Sequence, residues 1–134
     1  MTGTTKGLPR LLYVEDEKDL RVPISQIFEL LGYEVECAVN GQAGVEMAEQ
    51  WQPDVILMDI RMPIMNGIEA TQALRSNPAT EQIPIFILTA YTDAKTRDAC
   101  EKAGAAGFFA KPLDIEKVDA ALKALLNKKP RMAG

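Results

Sequence analysis

Val55-Ile56-Leu57-Met58-Asp59 decides the fold: four consecutive apolar residues, opened by Pro53-Asp54 and cut off by a carboxylate. A strand with one wet face alternates apolar and polar residues, so an unbroken apolar run belongs to a strand covered on both sides. Ile85-Phe86-Ile87-Leu88, ended by Thr89, repeats the pattern, as does Leu11-Leu12-Tyr13-Val14, stopped by Glu15-Asp16-Glu17. Gly107-Phe108-Phe109-Ala110 is a shorter instance, ended by Lys111-Pro112. The segment 33–39 differs: Tyr33, Val35 and Cys37 alternate with Glu34 and Glu36, which predicts a strand with one wet face.

Helical patterns fill the gaps. Leu20, Ile24, Ile27, Phe28 and Leu31 recur at helical spacing and end at Gly32. Pro23 inside that pattern lacks a backbone donor and predicts a late start near Asp19 or a local kink. Asn40-Gly41 supplies a turn and cap for a helix through Trp51, and Asn66-Gly67 does so for a short helix through Arg75. A helix over 92–103 closes at Gly104. Asp114 caps a final helix with Ile115, Val118, Leu122 and Leu125 on one face. Strand then helix, five times over, predicts an α/β domain with a parallel sheet wrapped on both faces. Its expected extent is 10–127, after a disordered N-terminal segment 1–9 and before a polar tail 128–134.

A chain of 134 residues holds one such domain. Hydrophobic residues at 47% and charged residues at 25% are those of a globular protein. A net charge of −4 argues against a nucleic-acid module, which presents a basic face to phosphates. Histidine is absent, which excludes Ser-His-Asp and Cys-His catalysis and any histidine-held metal. Cys37 and Cys100 stand far apart, outside any zinc or redox spacing, and read as core thiols in a reducing compartment. No run approaches the ~18 apolar residues of a membrane span, and no secretory signal opens the chain, so the expected location is the cytoplasm.

In an open parallel sheet, function gathers beyond the carboxyl ends of the strands. There the first strand delivers Glu15 and Asp16, the third Asp59, the fourth Thr89 and the fifth Lys111. Singly each has an ordinary explanation, such as an acidic residue at a helix start. Together they form a cluster that resists assembly, because two carboxylates at ~4 Å repel by roughly 4 kcal/mol at an effective dielectric near 20. A cation relieves that repulsion. A shell of oxygens alone selects a hard ion, Mg²⁺ first and Mn²⁺ or Ca²⁺ as substitutes. Mg²⁺ held by carboxylates suits phosphoryl chemistry.

These motifs carry a family resemblance. Val14-Glu15-Asp16, Leu57-Met58-Asp59-Ile60-Arg61-Met62-Pro63-Ile64-Met65-Asn66-Gly67, Leu88-Thr89-Ala90 and Gly107-Phe108-Phe109-Ala110-Lys111-Pro112, in that order, resemble the receiver domain of two-component response regulators. The resemblance implies a flavodoxin-like, doubly wound (βα)5 fold with strand order 2-1-3-4-5. It implies that Asp59 is the phosphorylated nucleophile, and that Glu15, Asp16, Asp59 and the backbone carbonyl of Arg61 hold Mg²⁺. Thr89 and Lys111 then contact the phosphoryl oxygens, Thr89 and Phe108 act as the switch, and Lys111-Pro112 is a cis bond. Arg61 and Tyr91, two residues beyond Asp59 and Thr89, flank the approach of a hydrolytic water and are expected to tune phosphate lifetime.

The implied partners are a sensor histidine kinase or histidine phosphotransfer protein as donor, and a downstream protein on the face of the fourth helix, fifth strand and fifth helix. No direct nucleic-acid or membrane contact is implied, and no reaction on a separate metabolite: the chain catalyses only its own phosphorylation and dephosphorylation. A single-domain regulator and an excised receiver of a larger regulator or hybrid kinase both fit the sequence. A flavodoxin-like FMN-binding protein shares the architecture, but it needs a Ser/Thr/Gly-rich phosphate loop where this chain has Glu15-Asp16-Glu17. A haloacid-dehalogenase-type phosphatase needs a second Asp where Arg61 stands.

Overall fold

The computed structural model describes residues 7–128. Among them run β1 (Arg10–Val14), α1 (Lys18–Leu30), β2 (Glu34–Ala38), α2 (Gly41–Trp51), β3 (Val55–Asp59), α3 (Gly67–Arg75), β4 (Ile85–Thr89), α4 (Ala94–Ala103), β5 (Gly107–Ala110) and α5 (Ile115–Lys128). The strands pair in the order β2-β1-β3-β4-β5, every pair parallel, as expected. The expected tail residues 129–134 and segment residues 1–6 lie outside the described residues. Pro9 lies inside them, and its carbonyl accepts a hydrogen bond from the Glu34 amide at 2.8 Å.

The apolar strands sort their side chains by parity, because alternate residues of a strand face opposite ways. Leu12, Val14, Ile56, Met58, Ile85 and Ile87 pack against Ala48, Ala70, Leu74 and Cys100 from α2, α3 and α4. Leu11, Tyr13, Val55, Leu57 and Leu88 pack on the other face against Phe28, Val118 and Leu122 from α1 and α5. β3 is buried along its whole length, so its run of four apolar side chains serves both cores at once. Burying each such side chain stabilises the fold by roughly 1.5–3 kcal/mol before chain entropy is subtracted.

At Pro23 the structure takes one of the two expected outcomes, a helix start near Asp19. α1 begins at Lys18, and Pro23 stays inside it as its sixth residue. The ring leaves the Asp19 carbonyl without its helical donor. Both residues are exposed, so water can serve that carbonyl. The last helix extends to Lys128, one residue past the expected domain end.

Candidate functional site

Register carries the carboxyl ends of β1, β3, β4 and β5 to one edge of the sheet. Glu15 continues the β1 ladder by donating its amide to the Ala38 carbonyl at 3.0 Å, and Lys111 continues β5 by donating to the Thr89 carbonyl at 2.9 Å. Arg21, one turn into α1, donates to the carbonyls of Glu15 and Asp16 at 3.0 and 3.2 Å and holds the acidic loop in place. Two glycines let the loop after β3 close. A Cβ on Gly67 would collide with the Asp59 carbonyl oxygen, and one on Gly41 with the Met65 carbonyl oxygen. Asn66 and Glu69 then form a reciprocal capping box on α3, with bonds of 2.9 and 3.0 Å.

The result is a compact acidic cluster. Glu15, Asp16 and Asp59 each offer a carboxylate oxygen, all within 4.8 Å of one another. Glu15 is fully buried, Asp59 is 5% exposed and Asp16 is the most open of the three. Lys111 lies between two of them, its Nζ 2.8 Å from Asp59 Oδ1 and 3.1 Å from Glu15 Oε1. The sequence reading set this lysine against a phosphoryl group; in the structure it also neutralises the cluster itself.

Burial raises the pKa of Asp59, and the Asp16 charge adds to this, while Lys111 and the Ile60 amide oppose it. Glu15 is raised by burial first and by Asp59 second, against the Glu17 amide and Lys111. Burial works to lower the pKa of Lys111, yet the two carboxylates together hold it above its ordinary value. One ammonium does not fully compensate three carboxylates. The donor set is all oxygen, open on the Asp16 side, and fits a hard divalent cation.

The remaining expected residues surround this cluster. Thr89 is buried, and its hydroxyl accepts the Tyr91 amide at 2.9 Å and donates to the Tyr91 carbonyl at 3.3 Å. It is therefore held by its own loop rather than by the carboxylates. Phe108 is half-buried on β5, paired in register with Ile87, and the Arg97 guanidinium of α4 lies 5.1 Å from its ring centre. The Arg61 guanidinium stacks on the Tyr91 ring at 4.2 Å, so the two residues expected to flank the site touch across it. They border a cleft of about 780 Å³ that runs from Asp16 to Lys95 and Thr96 of α4. The Lys111-Pro112 bond is cis, as the resemblance implied.

Sequence reasoning did not single out Arg21 or Arg75. Arg75 Nε donates to the Gly104 carbonyl at 2.8 Å, and its Nη1 to the carbonyls of Glu81 and Ile83 at 3.0 and 2.8 Å. Both arginines act on backbone carbonyls, which every residue carries, so no residue type at a fixed spacing signals them.

Known proteins agree with this architecture. The model of the response regulator receiver domain matches residues 11–123. Protein PilH of Pseudomonas aeruginosa PAO1 is 34% identical over 119 residues, covering 89% of this chain and 98% of that protein. The chemotaxis protein CheY4 of Vibrio cholerae superimposes with a TM-score of 0.83 at 31% identity, covering 89% of this chain and 99% of that one. The receiver domain of a Pseudomonas aeruginosa PAO1 sensor histidine kinase, solved with a magnesium ion coordinated in its active-site cleft, gives 0.76 at 32% identity, covering 90% and 95%. The chain spans only 24% and 52% of the length of two longer regulators that it also matches. With fold, ordered motifs and acidic cluster in agreement, this chain belongs to the response regulator receiver domains, the phosphotransfer signalling modules of two-component systems.

Proposed function

We propose that Asp59 is the phosphoryl acceptor of this receiver and that Glu15, Asp16, Asp59 and the Arg61 carbonyl hold Mg²⁺, with Mn²⁺ or Ca²⁺ as substitutes. The observation that carries the reading is the Lys111 ammonium lodged between Asp59 and Glu15, with Asp16 completing a three-carboxylate cluster. A carboxylate oxygen of Asp59 bonds to phosphorus as the P–N bond of a donor phosphohistidine breaks. The electron pair leaves on the imidazole nitrogen, which takes up a proton. The donor phosphohistidine lies outside these 134 residues, on a sensor histidine kinase or a histidine phosphotransfer protein, since they contain no histidine.

Charge sets the metal requirement. Phosphoaspartate carries roughly −2, and Glu15 with Asp16 brings the site to about −4. Mg²⁺ held by these residues would supply two positive charges, and Lys111 supplies one more, leaving about −1. Thr89 leaves its Tyr91 partners for a phosphoryl oxygen, and that exchange shifts Phe108 and the α4–β5–α5 face that meets a downstream protein. The stacked Arg61 and Tyr91 crowd the side from which a water attacks phosphorus and prolong the phosphorylated state.

Acetyl phosphate with Mg²⁺ is expected to add one phosphoryl group, labile to hydroxylamine, as read by intact mass. Asp59→Asn or chelation abolishes it; equal labelling of Asp59→Asn overturns the assignment. Arg61→Ala and Tyr91→Ala are each expected to lose phosphate faster than the parent, and the double variant fastest. Equal decay in all three removes the stacked pair from the kinetics.

A further inference from the structure

Two non-glycine residues among those described have positive φ, Gln52 at 56° and Ile64 at 72°. Gln52 is the left-handed cap of α2, an ordinary place for that conformation. Ile64 is not ordinary. It is β-branched, a class for which the left-handed region is an outlier. The Met65 amide donates to the Pro63 carbonyl at 2.7 Å, which closes a three-residue γ-turn centred on Ile64. Such a turn at positive φ is rare and strained.

Among the described residues the side chain gains little in return. Ile64 is 80% exposed, so the fold draws little from its apolar surface. Glycine or asparagine would hold the same turn more cheaply. The turn itself is fixed by its neighbours: Gly67 N donates to the Ile60 carbonyl at 2.9 Å, Gly41 N to the Met65 carbonyl at 3.1 Å, and Asn66 caps α3. The backbone is thus set whatever side chain stands at 64, and an exposed isoleucine needs a purpose outside the chain.

Its position names that purpose. Asp59 is 5% exposed at the floor of the loops, and Ile64 stands at the tip of the loop that follows it. A protein that delivers a phosphoryl group to Asp59 has to settle on this rim. A second exposed apolar residue, Val39, directly follows β2 at the same end of the sheet. We infer that Ile64 is a docking residue for the histidine-bearing phosphodonor protein: the strained turn holds an apolar knob outward for a hollow on the donor beside its phosphohistidine. This inference rests on the reading of Asp59 as acceptor.

The test compares two donors. Acetyl phosphate reaches Asp59 without touching the rim; an autophosphorylated sensor kinase does not. The kinase used is the one from the same genome that transfers fastest to the parent chain. Ile64→Gly and Ile64→Asn are expected to be labelled by acetyl phosphate within about twofold of the parent, while kinase transfer slows about tenfold, the loss typical of an interface anchor. Ile64→Met keeps the apolar knob and retains most of the transfer rate. Kinase transfer to the glycine and asparagine variants within twofold of the parent overturns the inference, as does a lack of transfer from every kinase to a chain that acetyl phosphate still labels. Failure of acetyl phosphate to label the parent at Asp59 overturns instead the reading beneath it.

Discussion

The segment 60–66 after β3 and the segment 90–93 after β4 face one another across the carboxylates, and they are anchored very differently. The first leaves a fully buried strand, folds back through Gly67 and Gly41, and ends in a two-way capping box. The second is exposed from Ala90 onward and is tied at its start by the Thr89 hydroxyl to the Tyr91 backbone. It leads into α4, which buries only Cys100 and Ala103, both in its C-terminal half. A helix that is polar nearly all round owes little of its stability to packing. Under the proposed function the lesson is a division of labour: the Asp59 carboxylate sits on over-determined backbone, whereas the segment and helix beside the proposed switch residues lie where little has to be broken for them to move.

The largest expected effect strikes the rigid side. Gly67→Ala should lower stability by about 3 kcal/mol through a collision with the Asp59 carbonyl, although alanine is the better helix former. A urea titration measures this. Tyr91→Ala, on the other loop, should stay within about 0.5 kcal/mol of the parent. Equal losses at the two positions would break the comparison.

A second variant tests what holds α4. Arg75 ties its C-terminal cap to the chain entering β4 through three carbonyls. Arg75→Ala should cost about 2 kcal/mol, since bonds from a charged donor are worth more than neutral ones but water replaces part of them. Amide hydrogen exchange should then accelerate in α4 more than in α2. Uniform acceleration would mean that α4 is not a separately stable unit.

The fold was legible because burial on two faces writes itself as unbroken apolar runs, and β1, β3, β4 and β5 all carry them. Glu15, Asp16, Asp59, Thr89 and Lys111 were legible because each ends such a run. Other features left a partial pattern or none. Pro23 marked the start of α1 to within a residue, but not that the helix runs on through it, which rests on an exposed carbonyl that water can serve. Arg21 and Arg75 reach backbone atoms, which any sequence supplies. The turn at Ile64 is imposed by contacts from Gly41 and Gly67, so its own residue type gave no sign of it.

Acidity sharpens the picture of the Asp59 side. Asp59 and Glu15 have raised pKa values in the fold, so the folded state binds protons more readily than the unfolded chain. Stability then falls as pH rises between the ordinary carboxylate range and those raised values, and it recovers as pH drops back through that window. In chelator, the thermal midpoint should therefore climb as pH is lowered from 7 towards about 5. Saturating Mg²⁺ should flatten the slope, because the cation takes the place of the protons. Asp59→Asn should flatten it without metal. A chelated protein that loses stability steadily over this window would show that Lys111 already compensates the cluster in full.

The smallest effect concerns a flaw beneath the rigid side. Tyr13 on β1 is fully buried, and its hydroxyl makes no well-formed hydrogen bond among the described residues, although the Glu15 carboxylate is near enough to act on it. Burial first, then the charges of Glu15 and Asp59, push its pKa up, so the phenol stays neutral. A buried hydroxyl without a partner is a net cost, and Tyr13→Phe should stabilise the protein by about 1 kcal/mol. Tyr33 supplies the control, because its hydroxyl donates to Asp119 at 2.8 Å on the same face of the sheet. Tyr33→Phe should lose about 1 kcal/mol with the bond, although Asp119 keeps its ion pair with Lys123. Opposite signs for two identical deletions would show that the partner, not the burial, decides the outcome. Equal losses would mean that the Tyr13 hydroxyl is satisfied in solution, and that the floor of the acceptor site is less rigid than its backbone suggests.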